Sequence, residues 1–392
     1  MERLRIIVGG YIGLYPTGGA TWDYIQYPLG LQMLGHDVYY IEDTLQFPKY
    51  QQPGKNWNDA SDSVKYLKEA MEYFGMGERW AYRDVASGDC FGLTIDKVKE
   101  MCKTADVFIN ISASTFMREE YLNIPKRVLI DSDPMFTQIE YFLQSEARDQ
   151  SPYRMKYLVD NHNYLFSFGE NINKEDCKIP KLNLVWNTTR QPICLPYWNQ
   201  KKHIGNPNVL STVMNWSVNA DLVYNNTTWG QKSIEFNKYL SIPESFPDLN
   251  FKLMVSNIPE LEKRQIVNAR WKFLDPLTTI TDAVAYKNFI EHSGSEFSVA
   301  KETYVKSNSG WFSCRSACYL AAGKPVIAQE TGWSQNIPTG NGLFAFTDMP
   351  SAMDAIRAVI SNYKEHVKCA QEIASAYFDS NNVLNDLLKK II

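Results

Sequence analysis

The apolar run Val128 to Ile130 ends in Asp131-Ser132-Asp133-Pro134. Two carboxylates two residues apart at the end of a strand admit three kinds of chemistry. The pair could hold a divalent ion against a diphosphate. Asp133 alone could act as a general base on, or an orienting group for, an attacking hydroxyl. The third reading is an Asp-Pro turn that caps the next helix. A second segment, residues 307–346, gathers the other candidates. Gly310 and a helix starting near Ser313 would offer free backbone N–H groups and the positive end of a helix dipole to an anion. Arg315 falls in the first turn, where a cation opposes the dipole, so it either clamps a diphosphate or is merely solvated. Thr331-Gly332 follows an apolar run, 325–328, where backbone can approach a phosphate closely or simply turn. Seven scattered cysteines show no CxxC pair or zinc spacing, and no Ser-His-Asp or Cys-His series has the loop context of a nucleophile.

The elements that must position these residues read as alternating strands and helices. Leu4 to Val8 is a short β run closed by Gly9-Gly10, and apolar residues at helical spacing fill Thr21 to Leu34, with Pro28 expected to bend or restart that helix. Val38 to Ile41 follows as a second strand, making a βαβ unit. Runs at 107–111, 128–130 and 164–168 repeat the pattern. Between about Cys177 and Gly205 it lapses, among Pro180, Pro192, Pro196 and the basic pair Lys201-Lys202, which predicts an interdomain linker. A second series then runs through strands at 209–214, 251–255, 271–274 and 325–328, helices at 232–240, 283–291 and 315–322, and a possible short strand at 303–306. The expected fold class is α/β, with two Rossmann-like domains, 1–200 and 205–392, facing a central cleft. The helix at about 382–392 is expected to pack back on the N-terminal domain. Ligands of such sheets bind at the carboxyl ends of the strands.

Forty Lys plus Arg against 44 Asp plus Glu give a net charge of −4, so bulk nucleic acid and anionic membranes are not expected partners. No run of about 18 apolar residues lacks a charge, so no transmembrane helix is expected, and the cysteine usage fits a reducing cytoplasm. Aromatic residues make up 13% of the chain, and Tyr11, Tyr15, Trp22, Trp216, Trp229, Trp311 and Trp333 fall in loops expected at the cleft, where rings could stack on sugars or bases.

Residues 321–343 include Ala321-Ala322-Gly323-Lys324-Pro325-Val326-Ile327, then Glu330-Thr331-Gly332, then Gly340-Asn341-Gly342-Leu343. This resembles the nucleotide-sugar half of GT-B glycosyltransferases, above all the family-4-like, or group-1, branch. Leu34-Gly35-His36-Asp37-Val38 is similar to the start of the same proteins. Asp131 to Pro134 and Thr189-Arg190-Gln191-Pro192 look like a little-described bacterial group of such transferases. The resemblance implies a metal-independent transfer of a sugar, a hexose by expectation, from a nucleotide diphosphosugar to an acceptor hydroxyl, with no further cofactor. It implies Asp133 as the catalytic group, and as donor-binding residues Gly18, Gly19, Asn215, Trp216, Lys232, His292, Ser309, Gly310, Trp311, Arg315, Glu330, Thr331 and Gly332. For Lys232 a solvated lysine at a helix start, and for His292 a cation at a helix end, are the alternatives.

One departure stands out. Two glutamates eight residues apart bracket the donor in family-4-like enzymes, and the positions that align on Gly323 are here Gly310 and Cys318. Stereochemistry is therefore not implied, and two rival functions stay open: a GT-B protein that only binds sugar or nucleotide, and a nucleotide-sugar epimerase of the same shape. A weaker rival is an NAD-dependent dehydrogenase, with Glu42 on the ribose. Against it, Gly9-Gly10-Tyr11-Ile12-Gly13 matches the G-x-G-x-x-G fingerprint poorly.

Overall fold

The computed structural model describes residues 2–49, 54–147, 154–198, 205–217 and 221–392. The pair Lys201-Lys202 and the expected boundary between residues 200 and 205 lie outside the described residues. The chain divides into two compact units: Met1–Phe168 with Lys181–Pro192 and Ser380–Ile392, and Gly169–Pro180 with Ile193–Asp379.

In the first unit, β1 (Arg5–Gly9), β2 (Asp37–Glu42), β3 (Trp80–Arg83), β4 (Cys90–Gly92), β5 (Val107–Ile111), β6 (Lys126–Asp131), β7 (Tyr164–Ser167) and β8 (Trp186–Thr188) form one sheet. Their order is β4-β3-β2-β1-β5-β6-β7-β8, parallel except for the β3–β4 hairpin. Helices cover such a sheet on both faces, so its strands are apolar throughout rather than alternating: Ile6, Ile7 and Val8 are all fully buried. The strand order reverses between β1 and β5, and the loops after those strands are where this topology places a ligand.

The second unit holds β9 (Val209–Asn215), the ribbon β10 (Leu222–Tyr224) and β11 (Thr227–Trp229), then β12 (Asn250–Ser256), β13 (Lys272–Leu274), β14 (Ser295–Ser298), β15 (Val326–Gln329) and β16 (Leu343–Phe346). The main sheet runs β13-β12-β9-β14-β15-β16, wholly parallel, reversing between β9 and β14. The two ladders made by β9 differ in length. With β12 it pairs from Val209 to Asn215, but with β14 only Leu210 and Ser211 are paired.

Local structure departs from the sequence reading in three places. The first helix starts at Gly18 and runs through Pro28 to Met33 without a break. Residues 302–307 form a helix rather than a strand at 303–306, with Glu302 and Lys306 paired at 2.8 Å across one turn. Residues 169–180, expected in the N-terminal domain, belong to the second unit, because the Asn171 amide N–H donates to the Ser309 carbonyl at 3.0 Å and Lys178 N–H to that of Ser307 at 2.8 Å.

The last helix, Ser380–Lys389, belongs to the first unit and packs on the first helix over Gly30. A Cβ at Gly30 would lie 2.5 Å from Leu384 Cδ1 and 2.8 Å from Ser380 Cβ. Gly30→Ala should therefore destabilise the protein by about 1–3 kcal/mol, since the clash outweighs the gain in helix propensity. A lowered midpoint in denaturant unfolding is the expected result; an unchanged or raised midpoint would show that the two helices yield.

Candidate functional site

In the first unit, buried carboxylates tie down the loops at the carboxyl ends of the strands. Glu42 ends β2 with no exposure and accepts from the N–H groups of Gly13 (2.8 Å) and Leu14 and from the Tyr40 hydroxyl (3.1 Å). It is a lock on the loop between β1 and the first helix and has no oxygen directed at a ribose, which removes the dehydrogenase reading. Burial outweighs these bonds and raises its carboxyl to about 7.

Asp131 plays the same part after β6. It accepts from Thr137 Oγ1 (2.7 Å), Gln138 Nε2 (2.8 Å), Ser167 Oγ (2.8 Å) and Asp133 N–H (3.1 Å), and burial raises its pKa. With its oxygens so engaged it is a scaffold rather than half of a metal-holding pair. Among the described residues no group of three or more His, Cys, Asp and Glu side chains is placed to hold an ion. Asp133, two residues on, is exposed.

The backbone here sits in the left-handed region at Ser112 (φ 57°), Ala113 (φ 51°) and Met135 (φ 77°), none of them glycine. Such conformations cost energy and persist where surrounding contacts fix them. Ser112 Oγ meets Ser132 Oγ at 2.6 Å, and the Tyr24 hydroxyl donates to Ser112 Oγ at 3.3 Å. Tyr11 packs edge-on against Tyr24 (5.7 Å) and Tyr15 (5.6 Å). The loops after β1, β5 and β6 thus combine half-buried tyrosines, two serine hydroxyls and one exposed carboxylate. Gly18 and Gly19 open the first helix at this same end, behind the N-cap Thr17. The sequence reading named Asp133, Tyr11 and Tyr15 here but not Ser112, Ser132 and Tyr24 as site residues, since their relation is set by strand order.

In the second unit, four of the predicted segments converge. Gly310 N–H donates to the Thr331 carbonyl at 2.7 Å, and Thr331 Oγ1 to the Trp311 carbonyl at 2.6 Å, so 309–311 and 330–332 form one layer. Buried Ser309 accepts from Trp311 N–H at 3.2 Å, and Glu330 Oε1 accepts from Gly332 N–H at 2.6 Å. Thr303 Oγ1 donates to the Gly230 carbonyl at 2.8 Å, bringing up the turn into the Lys232–Asn237 helix, whose first residue, Lys232, is 9% exposed. Trp311 stacks on Tyr304 with ring centroids 4.4 Å apart. Beside them starts the Cys314–Ala321 helix, whose Ser313 makes no side-chain cap.

Other predicted residues are placed elsewhere. Arg315 is no free clamp. Its guanidinium is nearly buried, bonded to Glu296 and the Val213 carbonyl and, at 2.8 Å, to Ser298 Oγ. Burial opposes its charge, but the facing Glu296 carboxylate more than compensates, so its pKa rises. His292 caps the C-terminus of the Ala283–Glu291 helix just before β14 begins, at the amino end of the sheet. Parallel strands with returning helices keep that end away from ligands, so His292 takes the helix-cation reading. Asn215 ends β9, exposed, and its Oδ1 accepts from Ser256 Oγ and, at 3.3 Å, from Asn257 Nδ2.

Gly310 and Gly332 both have positive φ, but their open faces are filled by protein. A Cβ on Gly310 would lie 2.8 Å from Asn171, and one on Gly332 2.3 Å from the Asn171 amide. Asn171, which the sequence reading left unassigned, donates to the Gly332 carbonyl (3.0 Å) and accepts from Asn336 Nδ2 (2.9 Å). The tryptophans divide as well. Trp22, Trp216, Trp229 and Trp333 are at most 5% exposed and belong to cores, Trp216 edge-on against Phe236. Only Tyr11, Tyr15 and Trp311 of the expected ring set are half-buried.

No protein-family model matches this chain, and no curated protein matches its sequence. Solved structures do match over nearly its whole length. Anabaena HepE in complex with UDP and glucose is 12% identical, with a TM-score of 0.58 over 99% of each chain. A glycosyltransferase from Rickettsia africae is 11% identical, with a TM-score of 0.55 over 100% of this chain and 98% of that one. Sucrose-phosphate synthase from Thermosynechococcus elongatus is 11% identical, with a TM-score of 0.54 over 99% of each. The fold is GT-B. Among the described residues no helix is long and apolar enough to cross a membrane.

Two outcomes follow from the buried charges. Arg315→Met leaves the Glu296 carboxylate buried and unpaired and should cost about 3–5 kcal/mol, read by denaturant unfolding, while adding Glu296→Leu should recover much of it. Glu42 has a folded pKa of about 7, above its ordinary 4.5, so its contribution is fully present below 4.5 and is lost as pH rises through 7. Unfolding free energy measured from pH 5 to 8 should fall more steeply in the wild type than in Glu42→Gln; parallel slopes would refute the assignment.

Proposed function

We propose that this protein transfers a glycosyl group, a hexose, from a nucleotide diphosphosugar to an acceptor hydroxyl. The observation that carries the reading is the layer of 309–311 on 330–332 beside the start of the Cys314–Ala321 helix, on a fold shared with a structure that holds UDP and glucose. N–H groups at that helix start, with Lys232, stabilise the leaving diphosphate. Trp311 offers a ring face to the base or sugar. In the first unit Asp133 accepts the proton of the attacking hydroxyl. The acceptor oxygen bonds to the anomeric carbon, the bond from that carbon to the diphosphate oxygen breaks, and the nucleoside diphosphate leaves. The nucleotide sugar is the co-substrate, and no resident cofactor or metal takes part in this scheme. The bonds that already saturate Asp131 support the metal-free reading.

A second reading, binding of a nucleotide sugar without transfer, is favoured by one observation. Of the two positions that carry glutamates in family-4-like enzymes, one is Gly310 under Asn171 and the other is Cys318, 1% exposed. Neither supplies a carboxylate.

Thermal unfolding with UDP, GDP, ADP and CDP should show a rise in Tm of a few degrees for one of them; no rise with any would overturn both readings. Turnover of the matching nucleotide sugar, retained in EDTA and lowered about 10²–10⁴-fold in Asp133→Asn with the Tm rise intact, is expected for the transferase. Saturable binding with no turnover on any acceptor would establish the second reading.

A further inference from the structure

A cavity of about 680 Å³ lies in the first unit, apart from the loops that carry Asp133. One wall is the start of the Ser61–Tyr73 helix and the residues before it, and the other is the turn from β3 to β4. It opens at the carboxyl end of β3, the same end of the sheet as the Tyr11 and Asp133 loops.

Its lining is mixed in a particular way. Val64 and Phe91 supply apolar surface, and Phe91 keeps 38% of its surface exposed on a short edge strand. Lys65 and Lys68 carry positive charge on the helix wall, while Asp59, Asp84 and Asp89 carry negative charge on the walls around them. The lysines pair only loosely with their own helix, at 3.9 Å to Glu69 and to Glu72. Asp84 is committed to its turn, accepting from Ala86 N–H (3.2 Å) and Ser87 N–H (3.0 Å), whereas Asp89 stands exposed. An anionic ligand would meet three carboxylates and a cationic one two ammonium groups. A neutral ligand rich in hydroxyls satisfies both signs, and its C–H faces suit an exposed ring.

The β1 loop packs at Gly13 against the same helix and strand that carry these walls: a Cβ there would lie 3.1 Å from the Ser63 carbonyl and 3.3 Å from the Tyr82 ring. Along the sheet, β3 and β6 are four strand spacings apart, roughly 19 Å. A single sugar cannot span that distance.

We infer that this groove binds a neutral carbohydrate chain, holding residues of an oligosaccharide acceptor distant from the hydroxyl that reacts. The assignment of that chain as acceptor rests on the glycosyltransferase reading; the binding itself does not.

The test is calorimetric titration of the full chain with maltoheptaose, cellohexaose, chitohexaose and mannohexaose, with the matching monosaccharides and a heparin hexasaccharide as controls. At least one neutral oligosaccharide should bind with a Kd below about 1 mM, and its monosaccharide should not saturate. Phe91→Ala and Asp89→Ala, both at exposed positions, should each weaken binding about tenfold. Absence of binding by all four chains, undiminished binding by both variants, or tighter binding of the heparin fragment would overturn the proposal. The nucleotide-induced rise in Tm separates the two readings: oligosaccharide binding with no rise for any of the four nucleoside diphosphates sinks the donor assignment and leaves the groove, while a rise without oligosaccharide binding does the reverse.

Discussion

The bond between Arg315 and Glu296 is the constraint on which the second unit's architecture turns. At the reversal of strand order, β9 and β14 pair through only two residues and then diverge. The carbonyl of Val213, which a longer ladder would have used, accepts from Arg315 instead. A guanidinium suits this place because its planar fork reaches a carbonyl, a hydroxyl and a carboxylate at once. Glu296 balances the charge that burial would otherwise expel. The consequence is a crevice with a fixed floor: the strands cannot close the gap without expelling an ion pair. Ligand loops on either side then have a rigid base, as sites carried on sheet ends require.

The first unit solves the same problem with the opposite sign. Its reversal lies between β1 and β5, and the loops above it are held by buried carboxylates: Glu42 under the β1 loop and Asp131 under the β6 loop. Each accepts several donors, which offsets the desolvation that raises its pKa. What this anchoring sustains is costly backbone at Ser112, Ala113 and Met135, and with it the placement of Asp133 in solvent rather than in its own scaffold. The pair Asp131 and Asp133 therefore divides its labour, the first buried and structural and the second exposed.

Much of the fold was legible because period and punctuation agree in α/β chains: apolar runs ending in Gly or Asp mark parallel strands, and returning helices carry the 3.6 period. The helix at 283–291 is read to the residue. Residues 302–307 were misread because Thr303, Tyr304 and Val305 have strand propensity, whereas a Glu302–Lys306 pair and tertiary contact decide for helix. The site was less legible, for a definable reason. Residue type reveals what a group could do, and partners decide what it does. Arg315 reads as a clamp until Glu296 is seen beneath it, and Glu42 as a ribose ligand until the Gly13 and Leu14 N–H groups are seen on it. Neither partner is near in sequence.

The glycines make the same argument at finer grain. Gly310 and Gly332 sit where a phosphate could approach backbone, and the close approach does exist, but the atoms that make it belong to Asn171 and, at Gly332, also to Asn308. That asparagine arrives on residues 169–180, an excursion that no periodicity announces. Its bonds to 308, 332 and 336 fix the two glycine turns from outside, so their N–H and C=O groups keep a set direction without a ligand. A pre-set turn costs nothing further to order when a diphosphate or sugar arrives, which is the advantage of preorganisation. The carboxylate absent from position 310 is thus replaced sterically by an amide that braces the loop. Under the proposed function, binding energy at this edge would come from Lys232, Trp311 and backbone N–H groups, not from a glutamate.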